Sequence, residues 1–191
     1  MVESKKIQKK AFYEVKAPLT AAKIYLYGSS PASLSERVVK LDLTRSLRGK
    51  SFVLCLKTKL AGENLEAEPL SLEIAGSYIR RMMHKGADYV EDSFSADCRD
   101  SSVIVKPFLI TRKKVSRIVR NALRTAARKH LEAYLKTRTT LDVFTEITSN
   151  KTQRELSLKL KKIYPLSFCE IRVFKKIFNT GEQTAAVKNL L

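Results

Sequence analysis

Tryptophan is absent from this chain, and histidine and cysteine nearly so: two His and three Cys in 191 residues. Cys55, Cys98 and Cys169 are odd in number, far apart, and form no Cys-x-x-Cys pair. Neither a zinc ribbon nor a disulfide framework is therefore indicated, and a reducing cytosolic or nuclear compartment is expected. His84 and His130 lack the spaced partners of a metal site or a hydrolytic triad. Acids are scarce too, 19 Asp+Glu against 37 Lys+Arg, and the adjacent Glu91 and Asp92 have no nucleophile pattern beside them. Gly49-Lys50-Ser51 imitates the end of a phosphate-binding loop, but the glycine needed at position 44 is Thr. These absences argue against an enzyme and imply no cofactor, metal or small-molecule substrate. No apolar run approaches the ~20 residues of a membrane span. Met1 to Lys10 is polar and basic, without a signal-peptide core. Six Gly and five Pro make no linker, so one domain over residues 11–178 is expected, with a basic arm at 1–10 and a weakly ordered tail at 179–191.

What the chain has is positive charge. Its formal net charge is +18, which opposes compaction unless an anionic partner neutralises it. Hydrophobic residues are 44% of it, enough for a core, so it is not simply a basic tail. The charge is densest from Arg112 to Arg138, read here as one helix. Arg117, Arg120, Arg124 and Arg128 recur at steps of three, four and four, which places them on one helical face. Val115, Ile118, Val119, Ala122, Ala126 and Tyr134 are expected to fill another. Glu132 is the only acid in the span. A solvated face usually mixes both signs, so this stripe asks for a polyanion.

Other basic elements extend the candidate RNA-binding set. They are Lys5, Lys6, Lys9 and Lys10 in the arm, Lys16, then Arg45, Arg48 and Lys50 in one turn. Arg112, Lys113, Lys114 and Lys129 flank the stripe, and Lys175 and Lys176 follow the last strand. Forked guanidinium donors suit the phosphates of A-form RNA. His130 is either a phosphate contact or an idle surface position. Tyr13, Tyr25 and Tyr27 could stack on unpaired bases, but anchoring the N-terminal segment on the core is the simpler expectation.

Periodicity predicts strands over 37–43 and 51–60, with Phe52, Leu54, Leu56, Thr58 and Leu60 sharing a face. A helix is expected over 70–85, ending at Gly86. Strands are expected over 89–96 and 102–111, the second bulged or at an edge because of Pro107. After the arginine helix come helical segments at 141–148 and 153–163, stopped before Pro165. A last strand has Cys169, Ile171 and Val173 opposite Glu170 and Arg172. Strands, then helices, then a strand give an α+β fold, with a curved, mostly antiparallel sheet or open barrel.

Four stretches resemble one family. Lys9-Lys10-Ala11-Phe12-Tyr13-Glu14-Val15-Lys16-Ala17-Pro18 is similar to the N-terminal signature of the eukaryotic and archaeal small-subunit ribosomal protein family eS-one, also called S-three-A-e. That signature is a lysine pair, one spacer, an aromatic pair, then Ala-Pro. Arg37-Val38-Val39-Lys40-Leu41-Asp42-Leu43 resembles its first strand, and Thr111-Arg112-Lys113 its central basic segment. Ile163-Tyr164-Pro165-Leu166 followed by Ile171-Arg172-Val173 resembles its C-terminal helix-to-strand junction. Phe12 stands where the family usually carries Trp, and the long family tail is nearly absent. The resemblance implies a structural constituent of the 40S subunit, on the platform near the messenger exit. Its partners are then small-subunit rRNA close to the 3′ end and neighbouring platform ribosomal proteins. Its place is the cytoplasmic ribosome, with nuclear passage during assembly in a eukaryote. A free RNA-binding regulator or ribosome assembly factor would share the same electrostatics.

Overall fold

The computed structural model describes residues 10–17, 19–20, 23–47, 49–62 and 64–177. The arm residues before Lys10, Arg48, and the expected tail fall outside them. Nine strands form one open, mostly antiparallel sheet, as the α+β reading expected. In chain order the strands are β1 (Ala11–Lys16), β2 (Ile24–Gly28), β3 (Val38–Asp42), β4 (Phe52–Ala61) and β5 (Asn64–Ile74). Then come β6 (Tyr89–Glu91), β7 (Phe94–Asp97), β8 (Ser102–Thr111) and β9 (Leu166–Lys176). The helices are α1 (Gly76–Met82), α2 (Arg117–Leu135), α3 (Thr140–Thr148) and α4 (Lys151–Leu160).

Two long strands organise the sheet. β5 pairs with β4 along its length on one edge, and on the other with β1 in parallel and then β9. β8 pairs with β9 along its length and, on its far edge, with β7 and then β6. Helices α2 to α4 cover one face, and Phe144 of α3 meets Phe174 of β9 edge-on at 4.9 Å between centroids. Phe52, Leu54, Leu56 and Thr58 are buried on β4 as their alternation predicts, while Leu60 is exposed near the strand end.

The expected 70–85 helix is helical only in its middle, and its first five residues complete β5. Leu65, Ala67, Pro69 and then Leu72 and Ile74 point inward along β5, and only the seven residues of α1 are helical. A register shift between Cys55 and Leu56 changes the inward parity midway, so strand residues imitate a helical spacing. The helix also ends at Met82, short of Gly86. The strand expected over 89–96 is two, β6 and β7, separated by Asp92 and Ser93. Pro107 lies at a register shift, as anticipated, but inside the sheet rather than at an edge. That same irregularity breaks the alternation expected of β9: Glu170 and Ile171 are both buried. Strands β1 and β2 were not anticipated at all.

Helix α2 is shorter than 112–138. Its start is set by Ser116, whose hydroxyl accepts from the Val119 amide. The Val115 amide is meanwhile donated to the Asp88 carboxylate at 2.9 Å, and the residues before Ser116 stay outside the helix. The packed face overlaps the expected one only in part: Val119 and Ala126 pack against the core, but its centre lies elsewhere. Leu123, Ala127, Leu131 and Leu135 are buried, whereas Ile118 is 80% exposed and Ala122 exposed.

Candidate nucleic-acid interface

The turn between β8 and α2 gathers four exposed candidate cations within six residues. Thr111, fully buried, holds its hydroxyl oxygen 2.9 Å from the Asp88 carbonyl and 2.8 Å from that of Lys113. It also accepts from the Asp88 amide at 3.0 Å. The backbone of 111–115 is therefore pinned on Asp88, while Arg112, Lys113, Lys114 and Arg117 project into solvent. No acid stands in the first turn of α2. Its unpaired amides and helix dipole add positive potential to those four cations, a geometry that favours an anion.

Further along α2 the arginines lie beside the sheet instead of opposite it. On a helix the stripe 117, 120, 124, 128 lies next to the buried stripe 123, 127, 131, 135, partly overlapping it. Arg120 is half-buried, and its Nε has no hydrogen-bond partner among the described residues. Arg124 lines an open pocket of about 470 Å³ with Glu91, Asp92, Ser93 and Lys106. Arg128 donates to Glu132 at 3.0 Å and lies 5.3 Å above the Phe94 ring. Lys129 is exposed on the outer flank. The four guanidiniums thus form a seam along the helix–sheet border, in which Arg128 is partly committed to Glu132. His130 stacks on Tyr134. Burial, then the nearby Lys159, holds its pKa below the ordinary 6.5, which favours the neutral imidazole.

Elsewhere the candidates separate. Lys10, Lys16 and Arg45 are exposed, and Lys175 is exposed beside a groove it shares with Lys40 and Glu73. Lys50 is turned inward. Its ammonium pairs with the carboxylate of Glu170 and donates to Asn150 Oδ1 at 2.7 Å. Gln153 Nε2 donates to the other Glu170 oxygen at 3.1 Å. Here the charge expected at a phosphate joins the β3–β4 connection to α4 and β9. Lys176 pairs with Glu68 at 2.7 Å, and Lys59 reaches the same carboxylate. Burial opposes ionisation of Glu68, but the hydrogen bonds from the two ammoniums outweigh it and lower its pKa. The tyrosines divide as well. Tyr13 is half-buried with its hydroxyl 3.5 Å from the Ser29 carbonyl, whereas Tyr25 and Tyr27 are more than half exposed. Phe12, omitted from the stacking candidates, is 72% exposed. The alternation of Phe12, Glu14 and Lys16 with Tyr13 and Val15 is the signal that could have found it.

A pinned basic turn, a capped helix and an arginine seam on an open sheet define a strongly basic α+β scaffold. The chain belongs to the Ribosomal S3Ae family, a match that covers residues 2–179. It is 28% identical to the small ribosomal subunit protein eS1 of Nanoarchaeum equitans (strain Kin4-M) over 176 residues. That alignment takes in 87% of this chain and 88% of the relative. The family resembled by the four sequence stretches is thus the family to which the chain belongs.

Proposed function

We propose that this protein is a structural constituent of the small ribosomal subunit, binding its rRNA on the platform near the messenger exit, beside neighbouring ribosomal proteins. The observation that carries the RNA contact is the turn of Arg112, Lys113 and Lys114 with Arg117, exposed on a pinned backbone at the positive end of α2. Family membership supplies the ribosomal context. Lys10, Lys16, Arg45, Arg124, Lys129 and Lys175 add exposed charge elsewhere on the described surface. Lys5, Lys6, Lys9 and Arg48 extend the proposal as further phosphate contacts. Lys50 and Lys176 support the scaffold through Glu170 and Glu68. The RNA supplies the counter-charge that the isolated chain lacks.

The test combines sedimentation with salt titration. Tagged protein should co-migrate with small subunits and translating ribosomes in sucrose gradients, and remain there at high salt. Recovery only at the top of the gradient overturns the constituent role and favours a free regulator. Replacing Arg112, Lys113 and Arg117 with Gln removes three phosphate contacts. The slope of log affinity against log salt for rRNA fragments should fall in magnitude by about 2–3. An unchanged slope removes this turn from the interface.

A further inference from the structure

The β1–β2 hairpin carries an aromatic surface that the proposed phosphate contacts do not use. Register pairs Phe12 with Tyr27 and Glu14 with Tyr25, so the three rings are cross-strand or same-strand neighbours. All three are more than half exposed: Phe12 72%, Tyr25 55%, Tyr27 54%. The Phe12 and Tyr27 centroids are 5.0 Å apart, and the Lys10 ammonium stands 5.8 Å over the Tyr27 ring. Lys16 and Lys23 are exposed on the same hairpin. Glu14 is the one acid in the two strands, and it faces Lys23 at 3.9 Å.

The platform is fixed from behind. Val15, Ile24 and Gly28 are buried on the inner face, and Gly28 lets Leu34 approach so closely that a Cβ would meet its side chain at 2.8 Å. β1 is joined to β5, while among the described residues β2 pairs with β1 alone and stands at the end of the strand order. Exposed rings on an edge hairpin normally invite aggregation. Here they are interleaved with ammonium groups, which suits a partner that is flat, aromatic and anionic at once.

We propose that the outer face of this hairpin is a stacking platform for unpaired bases. It binds a single-stranded RNA segment of about two or three nucleotides, with Phe12, Tyr25 and Tyr27 as base supports and Lys10, Lys16 and Lys23 on the phosphates. The site presupposes the RNA partner proposed above but not the α2 surface. Base-on-aromatic stacking tolerates sequence, so the platform selects single strand over duplex and not one base over another.

The test uses the full chain and two labelled strands of equal length, an oligoadenylate and its abasic analogue. The two carry the same phosphates and differ only in bases. Wild type should prefer the based strand by about 10-fold or more, given the usual strength of such stacks. Tyrosine emission, unobscured in a chain without Trp, should be quenched by the based strand alone. The Phe12→Thr, Tyr25→Thr, Tyr27→Thr triple variant should lose that preference and keep its salt slope. Equal binding of both strands by wild type overturns the platform and leaves the face to a protein partner, whatever becomes of the variant. A triple variant that folds and retains the preference overturns it also. If wild type binds neither strand nor rRNA fragments, the RNA reading itself fails. Failure of the platform alone leaves rRNA binding intact.

Discussion

Lys50 separates a phosphate contact from a fold contact, and the two make opposite predictions. Its side chain is 27% exposed and that of Glu170 is 5% exposed. In Lys50→Met the Glu170 carboxylate keeps only Gln153 as a direct hydrogen-bond donor among those described. Removing one partner of a buried pair costs about 3–5 kcal/mol. Because the Lys50 end reaches solvent, that cost is discounted to about 2–4 kcal/mol. With a urea m-value of about 2 kcal/mol/M for a chain of this size, the midpoint should fall by about 1–2 M. Adding Glu170→Gln to Lys50→Met removes the stranded charge and should recover much of the loss. Urea unfolding followed by far-ultraviolet circular dichroism reads all three proteins, and their salt-dependent rRNA binding should share one slope. An unmoved midpoint together with a slope smaller by about one would refute this reasoning and return Lys50 to the RNA.

Further outcomes follow from single environments. Gly28→Ala forces a methyl into Leu34 at 2.8 Å, so stability should drop by about 1–3 kcal/mol, read as a lowered urea midpoint. Burial, and then the charges of Asp100 and Asp97, push the Cys98 thiol up from 9.0 to about 11. Burial, and then Glu170, push Cys169 up to about 12. At pH 8 both should alkylate at least ~100-fold slower than an ordinary exposed thiol, measured by iodoacetamide labelling and peptide mass spectrometry. Burial first, and then the hydrogen bond to Glu146 at 2.7 Å, raise the Tyr134 pKa from 10.0 to about 12. A raised folded-state pKa contributes stability that is complete below pH 10 and lost as pH climbs toward 12. Tyr134→Phe should therefore show a shallower fall of urea midpoint between pH 9 and 11.5 than wild type. An equal fall would detach Tyr134 from that loss.

Much of the fold class and the family was legible in linear order. The alternation of Val39 with Leu41 and of Phe52 through Thr58 marked β3 and β4. The four family-like stretches ordered the chain from its first strand to its last. A charge surplus of this size and an almost acid-free α2 pointed to a polyanion without any coordinates, because charge composition survives whatever the chain does in space. Helix α2 itself was legible, but its packed side was not. Helical periodicity reports which residues share a face, yet only packing against β6, β7 and α4 decides which face is buried.

Irregularities account for most of the departures. A register shift in β4–β5 and another at Pro107 change inward parity within a strand, and a period-two pattern carries no sign of where parity will change. The rest were decided between residues remote in sequence. Lys50 and Glu170 are 120 positions apart, yet their pairing converts an expected surface cation into part of the core support. Phe12 and Tyr27 become one aromatic surface only because β1 and β2 pair in that register. By itself the sequence determined that this protein carries an anion-seeking charge on an α+β scaffold. Which cations reach the solvent, and which are consumed in holding the scaffold together, was decided by tertiary structure, since a charge faces water or a carboxylate only once distant strands have met.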